Sequence, residues 1–94
     1  MEIDQEARQA LLNGAPVELT ALEFDLLVAL ARRPRAVLTR EMLIQLVWGT
    51  DFYGDERLVD SHIYRLREKL RAAGLDPTPI VTVRGAGYAF RPQA

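Results

Sequence analysis

The spacing of apolar positions changes character from segment to segment along the 94 residues. Arg8 to Leu12 leads into Asn13-Gly14, and a short Val17-Glu18-Leu19 run follows, so residues 1–19 are expected to form two or three short antiparallel strands. Alternation is poor between Ala7 and Leu12, which keeps a helix open as the alternative there. Thr20-Ala21-Leu22-Glu23 has the spacing of a capping box, with Leu19 and Phe24 at the flanking apolar positions, and predicts a first helix over 20–33. Its apolar residues form two overlapping sets, Phe24-Leu27-Val28-Ala31 and Leu22-Leu26-Leu30. A helix apolar around so much of its circumference is expected to be covered on more than one side. Pro34 ends it, because the residue before a proline is pushed out of the α region.

A second helix is expected over 40–48, with Thr39 as N-cap, Leu43, Leu46 and Val47 facing inward, and Gly49 closing it. Residues 50–55 then read as a loop, either exposing Asp51, Phe52 and Tyr53 to a partner or tucking one aromatic into the core. The third helix is expected over 56–73, closed by Gly74. At 100° per residue, Val59, Ile63, Leu66 and Leu70 fall into one narrow inward row. The opposite face carries Leu58, Ser61, Tyr64, Arg65 and Glu68, with Asp60, Arg67 and Arg71 along one edge and His62 and Lys69 along the other. Ile80 to Val83 and Tyr88 to Phe90, around Arg84-Gly85-Ala86-Gly87, predict a hairpin over 80–91 with Thr82 and Arg84 on one face and Val81 and Val83 on the other.

Composition adds mainly exclusions. At 10.6 kDa the chain makes one small domain, and with no Cys and a single His it lacks the makings of a disulfide framework or a thiolate cluster. The longest apolar run, Leu26 to Ala31, is too short to cross a bilayer. The acidic start, Met1 to Asp4, has no apolar stretch of the kind a secretory signal needs, so a reducing, cytoplasmic setting without membrane attachment is expected. The net charge of −1 hides a division: residues 1–56 hold five basic and ten acidic side chains, residues 57–94 seven and three. Because screening limits distant acids to about 8–10 Å, the basic part can act as an electrostatic footprint for a polyanion, the alternative being an ordinary solvated face.

No constellation for catalysis is expected. Asp60-Ser61-His62 names a hydrolytic triad, but neighbours on a helix point about 100° apart and cannot form a relay. A lone His62 supplies too few ligands for a metal, and Asp51, Asp55 and Glu56 lack the spacing of a calcium loop. Gly85-Ala86-Gly87 lacks the third glycine, the lysine and the following helix of a phosphate cradle. Neither an enzyme nor a cofactor is therefore expected. What remains is a helix pair followed by a basic hairpin. Such an arrangement can place one helix in a major groove about 12 Å wide, with Ser61 and Arg65 toward base edges, His62, Arg67 and Lys69 toward the phosphate walls, Arg84 toward an adjoining minor groove and the Trp48 indole N–H toward a phosphate.

Four segments in order, L-T-A-L-E-F-D-L-L, L-T-R-E-M-L-I-Q-L-V-W-G, R-L-V-D-S-H-I-Y-R-L-R-E-K-L and I-V-T-V-R-G-A-G-Y-A-F, resemble the C-terminal effector domain of OmpR/PhoB-type response regulators. The resemblance covers nearly the whole chain. It implies an α+β winged helix-turn-helix with a four-stranded N-terminal sheet, three helices and a C-terminal β-hairpin wing. It places Asp60, Ser61, Arg65, Thr82 and Arg84 near the bases, and Trp48, Arg57, His62, Arg67 and Tyr88 at phosphate-contacting positions, the alternatives being an aromatic core plug for Tyr88 and core packing for Trp48. It also implies that the loop bearing Asp51, Phe52 and Tyr53 faces RNA polymerase, that the partner is double-stranded DNA bound in tandem half-sites, and that a phosphorylatable receiver domain and a sensor kinase lie upstream in a two-component system. Tyr64 and Glu68 depart from the family, since many relatives carry a basic residue at these positions. The alternative from another class is a winged-helix module that docks a protein such as polymerase and binds little DNA.

Overall fold

A computed structural model describes residues 1–50 and 54–92. Three short strands, β1 (Glu2–Asp4), β2 (Gln9–Leu12) and β3 (Ala15–Val17), pair antiparallel in chain order. In the first connection the Ala7 N–H donates to Asp4 Oδ1 at 3.0 Å. In the second, Asn13 and Gly14 both take positive φ, 53° and 82°, the backbone for which an Asn-Gly pair is suited. β3 is an edge, so Pro16, which has no N–H, is tolerated opposite Leu11. The expected fourth strand is absent from this sheet: after Val17 the chain turns through Glu18 and Leu19 straight into a helix cap, leaving no length for another strand.

Helix α1 (Ala21–Ala31) opens with the capping box anticipated from its sequence. The Glu23 N–H donates to Thr20 Oγ1 at 3.2 Å, and the Thr20 N–H donates to Glu23 Oε1 at 2.8 Å. Leu26, Leu27 and Leu30 are wholly buried because α1 packs against α2 (Arg40–Val47), α3 (Arg57–Ala72) and a C-terminal strand. Thr39 caps α2, accepting from the Met42 N–H at 3.1 Å. Within α2 the inward residues are Leu43 and Ile44 with Val47 partly buried, whereas Leu46, expected to face in, is 48% exposed. The helical angle explains the exchange: Ile44 and Leu46 lie on opposite flanks of Leu43, and the core closes over the Ile44 flank, while Leu46 borders an open depression beside α1.

Strands β4 (Ile80–Val83) and β5 (Gly87–Phe90) form the hairpin. β5 is also stapled on its other side, where the Leu38 N–H donates to the Tyr88 carbonyl at 2.8 Å and the Tyr88 N–H returns to the Leu38 carbonyl at 3.0 Å. The approach is so close that a Cβ on Gly87, whose φ is +149°, would stand 2.1 Å from the Leu38 carbonyl oxygen. The hairpin is thereby mounted on the segment between α1 and α2. Three helices with one antiparallel sheet at each end of the chain make a winged helix-turn-helix.

Candidate nucleic-acid interface

Val59, Ile63, Leu66 and Leu70 are completely buried and fix α3 from beneath. Their burial turns the opposite side outward: Leu58, Ser61, Tyr64, Arg65 and Glu68 are all exposed, Tyr64 by 61%. Asp60, Ser61, Tyr64 and Arg65 line a shallow depression of about 460 Å³ on this face. At the head of the helix the N-cap residue, Glu56, makes no capping hydrogen bond with its side chain. Instead Asp55 Oδ1 accepts from the Arg57 N–H, and Oδ2 from Arg57 Nε, each at 2.8 Å. The Arg57 side chain holds the Asp55 carboxyl below its usual value, and Asp55 raises the Arg57 guanidinium in return.

The cations of this side divide into two groups. Arg57 is held by Asp55, Arg71 is paired with Glu68, and Lys69 Nζ reaches back to Glu23 Oε1 at 2.6 Å. Arg67 Nη1 donates to Thr82 Oγ1 at 2.9 Å, and its guanidinium lies 5.8 Å from the centre of the Tyr88 ring. Arg65 on α3 and Arg84 in the hairpin turn have no hydrogen bond or ion pair among the described residues. An uncommitted guanidinium keeps all its donors for an incoming acceptor.

Several expected site residues sit in surroundings that periodicity did not foretell. Asp60 turns toward the body of the domain: Arg40 Nε donates to its Oδ1 at 3.0 Å, Arg40 Nη2 lies 2.8 Å from its Oδ2, and the Tyr88 hydroxyl donates to Oδ1 as well. Tyr88 is itself only 6% exposed. Burial, together with the bond to Asp60, pushes its phenol up to about 12. The polar groups of Asp60 and Tyr88 are thus engaged with each other and, through Asp60, with Arg40. His62 is half-buried with its ring 5.5 Å from that of Trp48, which ends α2 and packs partly buried against the core. Thr82 and Arg84 lie exposed on the hairpin. Asp51, Phe52 and Tyr53 fall outside the described residues. Nothing local in the sequence marks Arg40, whose partner Asp60 lies 20 residues away, beyond the reach of any local pattern. No group of three or more metal-ligating side chains occurs among the described residues, and none of their helices is long and apolar enough to cross a membrane.

Residues 14–90 match the model of the family described as "Transcriptional regulatory protein, C terminal". The chain belongs to this family. Among curated members, the DNA-binding response regulator MtrA of Mycobacterium tuberculosis is 50% identical over 92 residues, which are 98% of this chain and 40% of MtrA. The transcriptional regulatory protein YclJ of Bacillus subtilis is 55% identical over 89 residues, 94% of this chain and 38% of YclJ. The chain thus spans about two fifths of the length of these relatives. Among solved structures, the RstA DNA-binding domain of Klebsiella pneumoniae, in complex with the RstA box, superposes with a TM-score of 0.83 at 38% identity, covering 97% of this chain and 90% of that one. The AdeR DNA-binding domain, in complex with an intercistronic region, gives 0.86 at 29% identity, covering 98% and 94%. The family's fold therefore extends over nearly the whole chain, including the hairpin, which is the wing.

Proposed function

We propose that this domain binds double-stranded DNA sequence-specifically to regulate transcription, as the output part of a two-component response regulator. The observation that carries this reading is the placement of Arg65 and Arg84, the uncommitted arginines on α3 and on the wing turn. Arg65 stands beside Ser61 on a face that four buried aliphatics hold outward, suited to bidentate donation to a guanine in the major groove. Arg84 reaches the adjoining minor groove. Two structural relatives are DNA-binding domains in complex with the RstA box and with an intercistronic region, which supports a DNA-binding reading of this fold. Arg57, His62, Arg67 and Trp48 are assigned to the phosphate walls, where Arg57 exchanges Asp55 for a phosphate.

The rest of the reading follows from family membership. The domain works by binding alone, without a cofactor or a catalytic step. It pairs on tandem half-sites about one helical turn apart, answers to a receiver domain and sensor kinase in the cytoplasm, and offers the Asp51–Tyr53 loop to RNA polymerase. Selection from a random duplex library, followed by titration of the selected site at several salt concentrations, tests this. The expected result is one enriched motif and a log–log salt slope of roughly −0.9 per phosphate neutralised. No enrichment, or salt-insensitive binding, overturns the reading and returns the domain to protein docking.

A further inference from the structure

We propose that Asp60 is a positioning residue that locks the wing to α3 and does not read bases, an inference that builds on the DNA-binding function above. An ionised carboxylate has about four acceptor sites. In Asp60, Arg40 Nε and the Tyr88 hydroxyl occupy Oδ1, and Arg40 Nη2 lies against Oδ2. Three donors thus fill three of those four sites, and turning the carboxylate toward a cytosine amino group would draw it away from partners on α2 and β5. Tyr88, only 6% exposed, would then lose the acceptor of its hydroxyl.

The lock has a second point of attachment. Arg67 donates to Thr82 on β4 and lies against the ring of Tyr88 on β5. Asp60 and Arg67 are seven residues apart, on the same edge of α3 and about 10 Å apart along its axis. One tie would fix only a distance between wing and helix; two ties spaced along the axis also fix their angle. Arg40 adds the first residue of α2 to the same network. The three elements that surround DNA are consequently held as one body before binding, which lowers the ordering cost of binding. Arg84 keeps a constant offset from Arg65, so wing contact and base contact are read in one register.

The test uses the full chain, whose lack of cysteine makes site-directed labelling clean. Nitroxides at Ala72→Cys on α3 and Ala86→Cys on the wing turn report the distance between the elements by pulsed electron resonance. A narrow distribution is expected in the parent, broadening in Asp60→Asn and in Tyr88→Phe, with thermal melting recorded for each. On duplexes selected with the parent, both variants should lose about three- to tenfold in affinity, with the preferred bases unchanged, and the double variant should lose less than the product of the two. Tyr88→Phe and Arg40→Gln carry the test if Asp60→Asn does not fold. A changed base preference at one position in Asp60→Asn, or label distances unaltered in every folded variant, overturns the proposal. Failure of the parent to bind any duplex sinks the DNA reading instead, while the distance measurement still decides whether Asp60 sets the wing.

Discussion

Lys69 on α3 and Glu23 at the first turn of α1 lie 2.6 Å apart, Nζ to Oε1, across 46 residues of sequence. The same carboxylate oxygen accepts the Thr20 N–H in the capping box, so one buried acid closes the first turn of α1 and anchors α3. Glu23→Gln, which keeps the shape and loses the charge, should lower stability by about 1–3 kcal/mol in urea unfolding. Lys69 is itself partly exposed, so the loss stays below that of a fully buried ion pair.

The same pair predicts a pH dependence. Burial pushes the Glu23 carboxyl up, but the hydrogen bonds from Lys69 and the Thr20 N–H together outweigh burial and hold it below 4.5. A carboxyl with a depressed folded pKa contributes stability that is complete above the unfolded value and is lost as pH falls through the folded one. Stability should therefore decline as pH drops below about 4.5, and in Glu23→Gln this part of the decline should be missing. Urea midpoints between pH 3 and 7, taken at constant ionic strength, check it.

Arg65→Ala should cost about 1–3 kcal/mol on the selected site and relax discrimination at one base pair. Arg67→Ala should weaken all duplexes by a similar factor, because its guanidinium is engaged with Thr82 and Tyr88 and its proposed partner is the phosphate backbone, which carries no base identity. Fluorescence anisotropy on the selected duplex and on single-base variants separates the two patterns.

Gly87→Ala should destabilise the domain by about 3 kcal/mol or more, since its Cβ would meet the Leu38 carbonyl and its φ belongs to a region that alanine avoids. At Gly85, where φ is +78° and the space is open, alanine should cost only about 1 kcal/mol. Thermal unfolding ranks the two, and faster amide exchange at Leu38 should accompany only the first.

Ile63→Ala removes the centre of the inward row of α3 and should cost about 2–5 kcal/mol by transfer and cavity terms. Urea unfolding measures it. A loss under 1 kcal/mol would mean that the row does not hold the face bearing Ser61 and Arg65 outward.

The elements were legible where their causes are local. The caps at Thr20 and Thr39 are written within four residues each, the Asn13-Gly14 turn within two, and the row from Val59 to Leu70 repeats at helical spacing. The exposure of Ser61, Tyr64 and Arg65 follows from that row alone. What was not legible depends on meetings between distant segments. Periodicity assigns Asp60 to an edge of α3 but cannot show that Arg40 and Tyr88 converge on it. It assigns Lys69 to a flank without revealing Glu23 beneath. Leu46 was misplaced because three apolar residues at allowed spacing can be rotated to favour either flank, and the choice belongs to the neighbouring helices. The missing fourth strand is a matter of length: the first cap begins too soon after Val17.

The contact between Gly87 and Leu38 bears on how the wing can be re-engineered. The first residue of β5, directly after the turn, is seated against the backbone before α2 and tolerates no added atom, so inserted residues there would unseat the strand. The tip, from Arg84 to Ala86, is unobstructed at Gly85. Longer or differently charged tips can be grafted at that point to extend the reach along a groove, while the mount stays as it is.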